Sequence, residues 1–101
     1  MINKHPKTLL TVITEAVLEA ALVRDLRELG AQGWTVVEVH GRGSEGTREG
    51  AWEADRTIEV KVICDAAIAD AIADHLLATY SANYSLVLYF SEVSVVRPDR
   101  Y

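Results

Sequence analysis

The sequence is poor in the residues that mark several common classes of protein. Its one cysteine, Cys64, allows neither an intrachain disulfide nor a CxxC metal or redox motif. Ten basic residues stand against 15 acidic ones, and the formal net charge of −5 argues against binding to nucleic acid phosphates. No apolar run approaches the roughly 18 residues of a membrane span, and the polar start MINKHPK lacks the apolar core of a signal peptide. We therefore expect a cytoplasmic protein with no nucleic acid partner and no direct membrane insertion.

What is present suffices for one small globular fold. The 101 residues are enough for one domain and too few for two, so we expect residues 1–101 to form a single domain. Half of the residues are hydrophobic, which is well above the range of disordered chains. A domain of this size buries a modest core, so association with copies of itself is a natural way to cover apolar faces.

The hydrophobic pattern predicts four strands and two helices. Short runs of β-branched residues indicate the strands, and apolar residues at steps of three and four indicate the helices. The predicted strands are residues 8–13, 34–40, 55–64 and 85–96, and the predicted helices are residues 15–32 and 66–80. Thr14 and Asp65 stand where N-caps would, and Gly30 and Gly33 mark the end of the first helix.

The order of these elements, βαββαβ, is that of the ferredoxin-like arrangement. This α+β fold has an antiparallel four-stranded sheet with both helices on one face. The other face of the sheet is apolar and would be bare in a single chain, so we expect copies of the chain to bury it. Between the second and third strands, residues 42–54 have no regular period, and loops of that length are usually functional.

A glycine-rich rim leads into this loop. Gly41 and Gly43 bracket Arg42, and Ser44 follows. Glycines allow the backbone to turn sharply and let an anion approach its N–H groups, and Arg42 and Arg48 could make forked contacts to phosphate or carboxylate. The spacing G-x-G is a weak signal by itself, and a hairpin loop with solvated charges explains it equally well.

The run GWTVVEVHGRGSE resembles the segment of PII-type signalling proteins that ends their second strand and enters their T-loop. The shared features are a glycine, a bulky residue, Thr-Val, an acidic residue, Val, a polar residue and Gly-x-Gly, here from Gly33 to Gly43. The order and length of the elements fit the whole chain. The segment TYSANYSLVLY, residues 79–89, further resembles PII-like proteins associated with carboxysomes and bicarbonate transport.

The resemblance implies a homotrimer with adenine nucleotide clefts between neighbouring subunits. The T-loop-like segment, at about residues 42–54, would change order on binding and control a partner such as a bicarbonate transporter or a carboxysome-associated protein. Matched by position, the nucleotide-binding residues are Thr35, Gly41, Arg42, Gly43, Ser44, Arg48, Tyr84, Arg97 and Arg100. Thr35 would touch the base, and the rim amides and arginines would hold phosphate.

Departures from the PII pattern bear on the ligand. Ser44 and Glu45 replace a basic residue and a glutamine after the second glycine, and Ser81-Ala82-Asn83 replaces a glycine-rich turn with a lysine. A weaker hold on a triphosphate follows, so AMP or ADP is favoured over ATP, with cyclic AMP as an alternative. The resemblance also implies bicarbonate as a second ligand. The loop contains no tyrosine, so the family's tyrosine modification is excluded there.

Other functions of this fold have less support. An acylphosphatase would need a glycine-rich phosphate loop with an arginine after the first strand, where this chain has Thr14-Glu15-Ala16. A trimeric metal-tolerance protein of the CutA type shares the fold, but the charged loop and its arginines favour a nucleotide sensor. His5, His40 and His75 lack metal-ligand spacing. We therefore expect a regulatory protein without a cofactor rather than an enzyme.

Overall fold

The computed structural model describes residues 1–40 and 56–101, with the backbone of residues 42–43 and 46–47 between them. The strands and helices within these residues are β1 (His5–Glu15), α1 (Glu19–Glu28), β2 (Thr35–Val39), β3 (Arg42–Gly43), β4 (Gly46–Thr47), β5 (Thr57–Cys64), α2 (Ala66–Tyr80) and β6 (Leu86–Val95). Short 3-10 turns at Ala16–Leu18 and Pro98–Arg100 precede α1 and follow β6. The predicted α+β, ferredoxin-like arrangement is confirmed.

Four of the strands form one antiparallel sheet in the order β2-β5-β1-β6. β1 pairs with β6 from His5 to Thr14, and it pairs with β5 on its other side. The short strand β2 lies at the edge, with its last residue Val39 opposite Thr57 of β5. The strands β3 and β4 pair as a short hairpin, where the sequence predicted a loop without strands. The rest of residues 41–55 lies outside the described residues.

The core lies between the sheet and the two helices. Every second residue of the central strands β1 and β5 faces the helices, and each helix contributes its apolar stripe. Fully buried side chains in this layer are Leu10, Val12, Leu22, Leu26, Ile58, Val60, Val62, Ile72 and Leu76. Cys64 is buried at the end of β5. Each such aliphatic side chain contributes about 1.5–3 kcal/mol on burial, so this layer is the main source of stability.

The first helix differs from its prediction at both ends. Thr14 is not an N-cap, because it is a buried residue of β1 whose hydroxyl donates to the Ser85 carbonyl at 2.6 Å. The helical region begins with the 3-10 turn at Ala16, and α1 ends at Glu28 rather than at residue 32. Gly30 follows with a φ of 105°, which is the left-handed conformation that glycine adopts at helix ends.

The second helix matches its predicted bounds, although its cap works differently. Asp65 has the extended backbone of an N-cap, but its side chain makes no hydrogen bond to the helix. Its Oδ1 instead accepts a hydrogen bond from Lys7 Nζ at 2.6 Å. The side chain therefore ties the start of α2 to β1 instead of closing the first turn of the helix.

The face of the sheet that points away from the helices is open in the single chain and carries several apolar side chains. The register places Leu9, Ile13, Val37, Val87 and Tyr89 on this face, which we call the open face, together with Glu59 and Lys61 of β5. Val37, Val87 and Tyr89 retain 46%, 42% and 46% of their surface exposed. This is the surface that the sequence predicts copies of the chain to cover.

Candidate functional site

Two connections meet the sheet at the same end, which we call the loop end. The last residues of β1 and β2 and the first residues of β5 and β6 form this end, because neighbouring strands run antiparallel. Val39 lies opposite Thr57 there, and Thr14 lies opposite Leu86. The predicted T-loop-like segment joins β2 to β5 at this end, and the turn from α2 enters β6 there. Only β1 lies between the start of β5, where the first connection ends, and the start of β6, where the second ends.

Only part of the predicted glycine rim falls within the described residues. The backbone of Arg42–Gly43 forms β3 and pairs with Gly46–Thr47. Of the other predicted rim residues, the structure leaves undescribed Gly41, Ser44 and Arg48. Thr35 is the first residue of the edge strand β2, opposite Lys61 of β5, and it is exposed. Its side chain lies on the open face, where another chain can reach it.

Tyr84 lies across the sheet from Thr35. It belongs to the segment Ser81–Ser85 between α2 and β6, which we call the corner, and it is 36% exposed. Three interstrand spacings separate β2 from β6, and at about 4.8 Å each they amount to about 14 Å. Thr35, which is predicted to contact the nucleotide base, and Tyr84, which is predicted to contact the nucleotide from the corner, therefore lie on opposite edges of the sheet.

Arg97 and Arg100 lie beyond the other end of the sheet. They follow the end of β6, where Val95 pairs with His5, and both are exposed. The stretch of β1 from His5 to Thr14 separates them from the loop end, a distance of about 30 Å at about 3.3 Å per residue. A single chain therefore does not bring the predicted site residues into one pocket.

Three hydrogen bonds at the end of β1 hold both connections, and the sequence did not reveal them. Thr14 Oγ1 donates to the Ser85 carbonyl at 2.6 Å, and the Ser85 N–H donates to Glu15 Oε2 at 2.7 Å. The Ala16 N–H donates to the Arg56 carbonyl at 2.8 Å, immediately before β5 begins. The end of β1 is therefore a common anchor for the start of β5 and for the end of the corner.

A buried carboxylate lies behind the corner, between the two helices. Asp25 of α1 is 5% exposed, and its Oδ2 accepts hydrogen bonds from the Tyr80 hydroxyl and from His75 Nε2, the latter at 3.1 Å. Arg24 Nε donates to Oδ1 at 3.3 Å. Because an ionised carboxylate only accepts, His75 Nε2 carries the proton in this contact. The sequence signal for this site is that Asp25 follows Leu22 by three residues, inside the apolar stripe of α1.

The environment of Asp25 acts on its pKa in opposite directions. Burial raises the pKa, but the hydrogen bonds from Tyr80 and His75, with the charges of His75 and Arg24, outweigh burial and lower it overall. Burial and the hydrogen bond to Asp25 both raise the pKa of Tyr80. At neutral pH the pair is therefore a carboxylate and a neutral phenol, which is the state that their hydrogen bond requires.

The described part of the chain holds neither a metal-binding cluster nor an activated thiol. No three His, Cys, Asp or Glu side chains come together there as a metal site. In the same residues, no helix combines the length and apolarity needed to cross a membrane. Burial, and to a lesser extent the Asp65 charge, raises the pKa of the Cys64 thiol, so a thiolate is disfavoured at neutral pH.

Comparison with known proteins identifies the family. A family model described as nitrogen regulatory protein P-II matches residues 7–100. The chain belongs to the P-II family. Proteins of this family are regulatory, and PII-like homologues are trimers that bind adenine nucleotides. The resemblance inferred from the rim motif is therefore confirmed.

Solved structures of PII-like proteins match nearly the whole P-II chain. A candidate PII-like signaling protein from Thermus thermophilus shares 32% identity over 99% of each chain, with a TM-score of 0.85. CPII, a nitrogen regulatory PII-like protein from Thiomonas intermedia, was solved bound to ADP, AMP and bicarbonate. It shares 24% identity at a TM-score of 0.87, covering 99% of this chain and 97% of CPII. A CPII structure bound to ADP and bicarbonate gives 23% identity and a TM-score of 0.86, covering 99% and 98%. At these identities the likeness to CPII shows the fold.

Proposed function

We propose that this P-II protein is a sensor that binds an adenine nucleotide in clefts between the subunits of a homotrimer. AMP or ADP is preferred over ATP, with cyclic AMP as the alternative ligand. Residues 1–101 act as one PII-like domain, and the T-loop-like segment at about residues 42–54 responds to the nucleotide and signals to a partner. The ligand is sensed and not turned over.

The placement of the predicted site residues within one chain is the observation that carries this proposal. Thr35 lies on the β2 edge, Tyr84 lies in the corner at the β6 edge, and Arg97 lies beyond the far end of β6. Tyr84 and Arg97 lie at opposite ends of β6, about 30 Å apart at about 3.3 Å per residue. One compact ligand can therefore contact both only when the loop end of one chain meets the far end of β6 of a neighbour. In such a cleft Thr35 contacts the base, and Arg97 and Arg100 contact phosphate.

The open face supports the trimer that this cleft requires. Its exposed apolar members Val37, Val87 and Tyr89 lie on the two edge strands, and the ion pair between Glu59 and Lys61 of β5 lies between them. Several large apolar side chains exposed on one sheet face mark an interaction site rather than ordinary solvent-facing surface. Burying it in a threefold assembly covers the same patch on every subunit.

The choice of ligand and pathway rests on the departures in the sequence and on the bound relatives. Ser81 to Asn83 offers no lysine or glycine-rich turn for a third phosphate, and CPII was solved with ADP, AMP and bicarbonate. We propose bicarbonate as the second ligand and inorganic carbon metabolism as the pathway. The partner is a bicarbonate transporter or a carboxysome-associated protein, and the protein acts in the cytoplasm, where adenine nucleotides are abundant.

Isothermal titration calorimetry with AMP, ADP, ATP and cyclic AMP, each with and without bicarbonate, tests this proposal. We expect AMP or ADP to bind more tightly than ATP, with one ligand for each subunit. The absence of both binding heat and a thermal shift with all four nucleotides would end the nucleotide hypothesis. Release of inorganic phosphate above background would contradict a purely sensing role.

A matched pair of ligands tests the role of the arginines. Arg42→Ala and Arg48→Ala each remove a charge-assisted hydrogen bond worth about 1.5–3 kcal/mol, so ADP affinity falls by about tenfold or more. Adenosine carries no phosphate, and its affinity stays unchanged. An equal loss for adenosine would mean that the arginines act on the fold and not on phosphate.

A further inference from the structure

The corner that carries Tyr84 is anchored at both of its ends. At Ser85, the end of β1 binds the backbone N–H and the carbonyl, at 2.7 and 2.6 Å. At the other end, the carbonyl of Tyr80 accepts hydrogen bonds from the N–H groups of Asn83 at 3.1 Å and Tyr84 at 3.0 Å. Only residues 81–84 lie between the two anchors. The positions of Tyr80 and Ser85 therefore determine where Tyr84 lies.

The side chain of Tyr80 connects this corner to α1. Its ring contacts the ring of Tyr84 edge-on, with centroids 6.3 Å apart and an interplanar angle of 72°. Its hydroxyl donates to Asp25, and the His75 ring lies perpendicular to the Tyr80 ring at 6.4 Å. Tyr80 is 8% exposed, so its hydroxyl depends on this carboxylate and not on bulk water for a partner.

We propose that Asp25 is a positioning residue for the nucleotide cleft: it fixes the Tyr80 side chain, and Tyr80 fixes the corner and Tyr84. The inference rests on the proposed function, because Tyr84 is placed in the cleft only there. Asp25 does not touch the nucleotide. His75 shares Oδ2 with the Tyr80 hydroxyl, and Arg24 donates to Oδ1, so these two groups hold the carboxylate in place.

The expected effect on ADP affinity arises because the corner of the native chain is already ordered before the nucleotide binds. Without the carboxylate, the Tyr80 hydroxyl loses its buried partner, and the ring and the corner gain alternative positions. Reordering one or two side chains on binding weakens affinity by about two- to tenfold. A buried network that only stabilised the packing of the helices would leave affinity unchanged once the protein is folded.

Hydrogen exchange and ADP titration of a set of variants test the proposal. Asp25→Ala removes the carboxylate, and Tyr80→Phe removes only the hydroxyl, as a milder second variant if the first fails to fold. Asp25→Asn keeps an acceptor for the hydroxyl and is the rescue variant. Val62→Ala, in the core on β5, is a destabilised control away from the corner. ADP affinity is measured for each, together with amide exchange in the corner.

The proposal expects a specific combination of results. Asp25→Ala and Tyr80→Phe weaken ADP binding by about two- to tenfold, and the amides of Asn83 and Tyr84 exchange faster. Asp25→Asn stays within about twofold of the native chain, and Val62→Ala loses stability but not affinity.

Two outcomes would overturn the proposal. They also distinguish a failure of the positioning role from a failure of the proposed function. Unchanged ADP affinity in Asp25→Ala and Tyr80→Phe, with a native chain that binds ADP, would overturn the positioning role alone. A native chain that binds no adenine nucleotide would overturn the proposed function and the positioning role together.

Discussion

Replacing Tyr89 with aspartate is expected to split the trimer without unfolding the chain. Tyr89 lies on the open face, opposite Thr11 of β1, with 46% of its surface exposed in the single chain. A tyrosine buries about 150–250 Å² in all, so about 90 Å² per subunit remains for a neighbour to cover. At about 25 cal/mol per Å², this contact contributes about 2 kcal/mol per subunit.

The aspartate adds a second cost to the loss of this contact. A carboxylate that enters a protein interface loses its water, at an effective cost of several kcal/mol per ion when no partner is present. Threefold symmetry repeats both costs on every subunit. We expect the combined loss of association free energy to dissociate the trimer. Tyr89→Asp should therefore be monomeric at micromolar concentration and unable to bind ADP tightly.

Analytical ultracentrifugation and circular dichroism together measure this outcome. Ala20→Asp, on the exposed side of α1, is the matched control, because it adds the same charge on the helix side of the molecule. The control should remain trimeric, and both variants should keep the native spectrum. A stable trimer in Tyr89→Asp would refute the assignment of the open face as the interface.

Three further predictions concern the fold. Gly30→Ala should lower the free energy of unfolding by about 1–2 kcal/mol, because a side chain is strained at its φ of 105°. Gly33→Ala is the control, since an added Cβ meets no atom within 4 Å there. Urea unfolding should show that Gly33→Ala changes the free energy by less than about 0.5 kcal/mol. Folding lowers the pKa of Asp25. Its contribution to stability is therefore full above the pKa of an unfolded aspartate and is lost as pH falls through the folded pKa. In urea unfolding between about pH 5 and pH 2, the free energy of unfolding should fall more steeply with acid in the native chain than in Asp25→Asn. Cys64 should resist thiol reagents in the native protein and react at once in denaturant, and rapid native labelling would contradict its burial.

Local sequence signals predicted the elements well wherever no distant contact competed with them. The helix predicted at residues 66–80 has those bounds in the structure, since its alanine-rich pattern lies between Asp65 and Ser81. The first helix was predicted too long because its apolar period continues to Leu29, past the point at which α1 ends. The polar start of β1 at His5 gave no strand signal, and it is extended because it pairs with β6.

Only the part of the candidate site that a motif carries could be proposed from the sequence. The family pattern points to Thr35 and the glycine rim, and their role in binding stays a prediction. The contact between Thr14 and Ser85 joins residues 71 positions apart, and the one between Asp25 and Tyr80 joins residues 55 positions apart. The Thr14 hydroxyl, which was expected to cap a helix, instead donates a hydrogen bond to the distant Ser85 carbonyl. No local sequence pattern contains that information.

Mixed trimers of two defective chains test the shared cleft most directly. Thr35→Ala removes the base contact on one edge, and Arg97→Ala removes a phosphate contact that a neighbour supplies. Each variant alone should bind ADP weakly. In a trimer that contains both variants, cyclic symmetry creates one cleft with a native Thr35 from one chain and a native Arg97 from the next. Co-expression with two different affinity tags isolates such trimers. The account predicts that they regain tight ADP binding at one site per trimer, and binding as weak as that of either parent would contradict it.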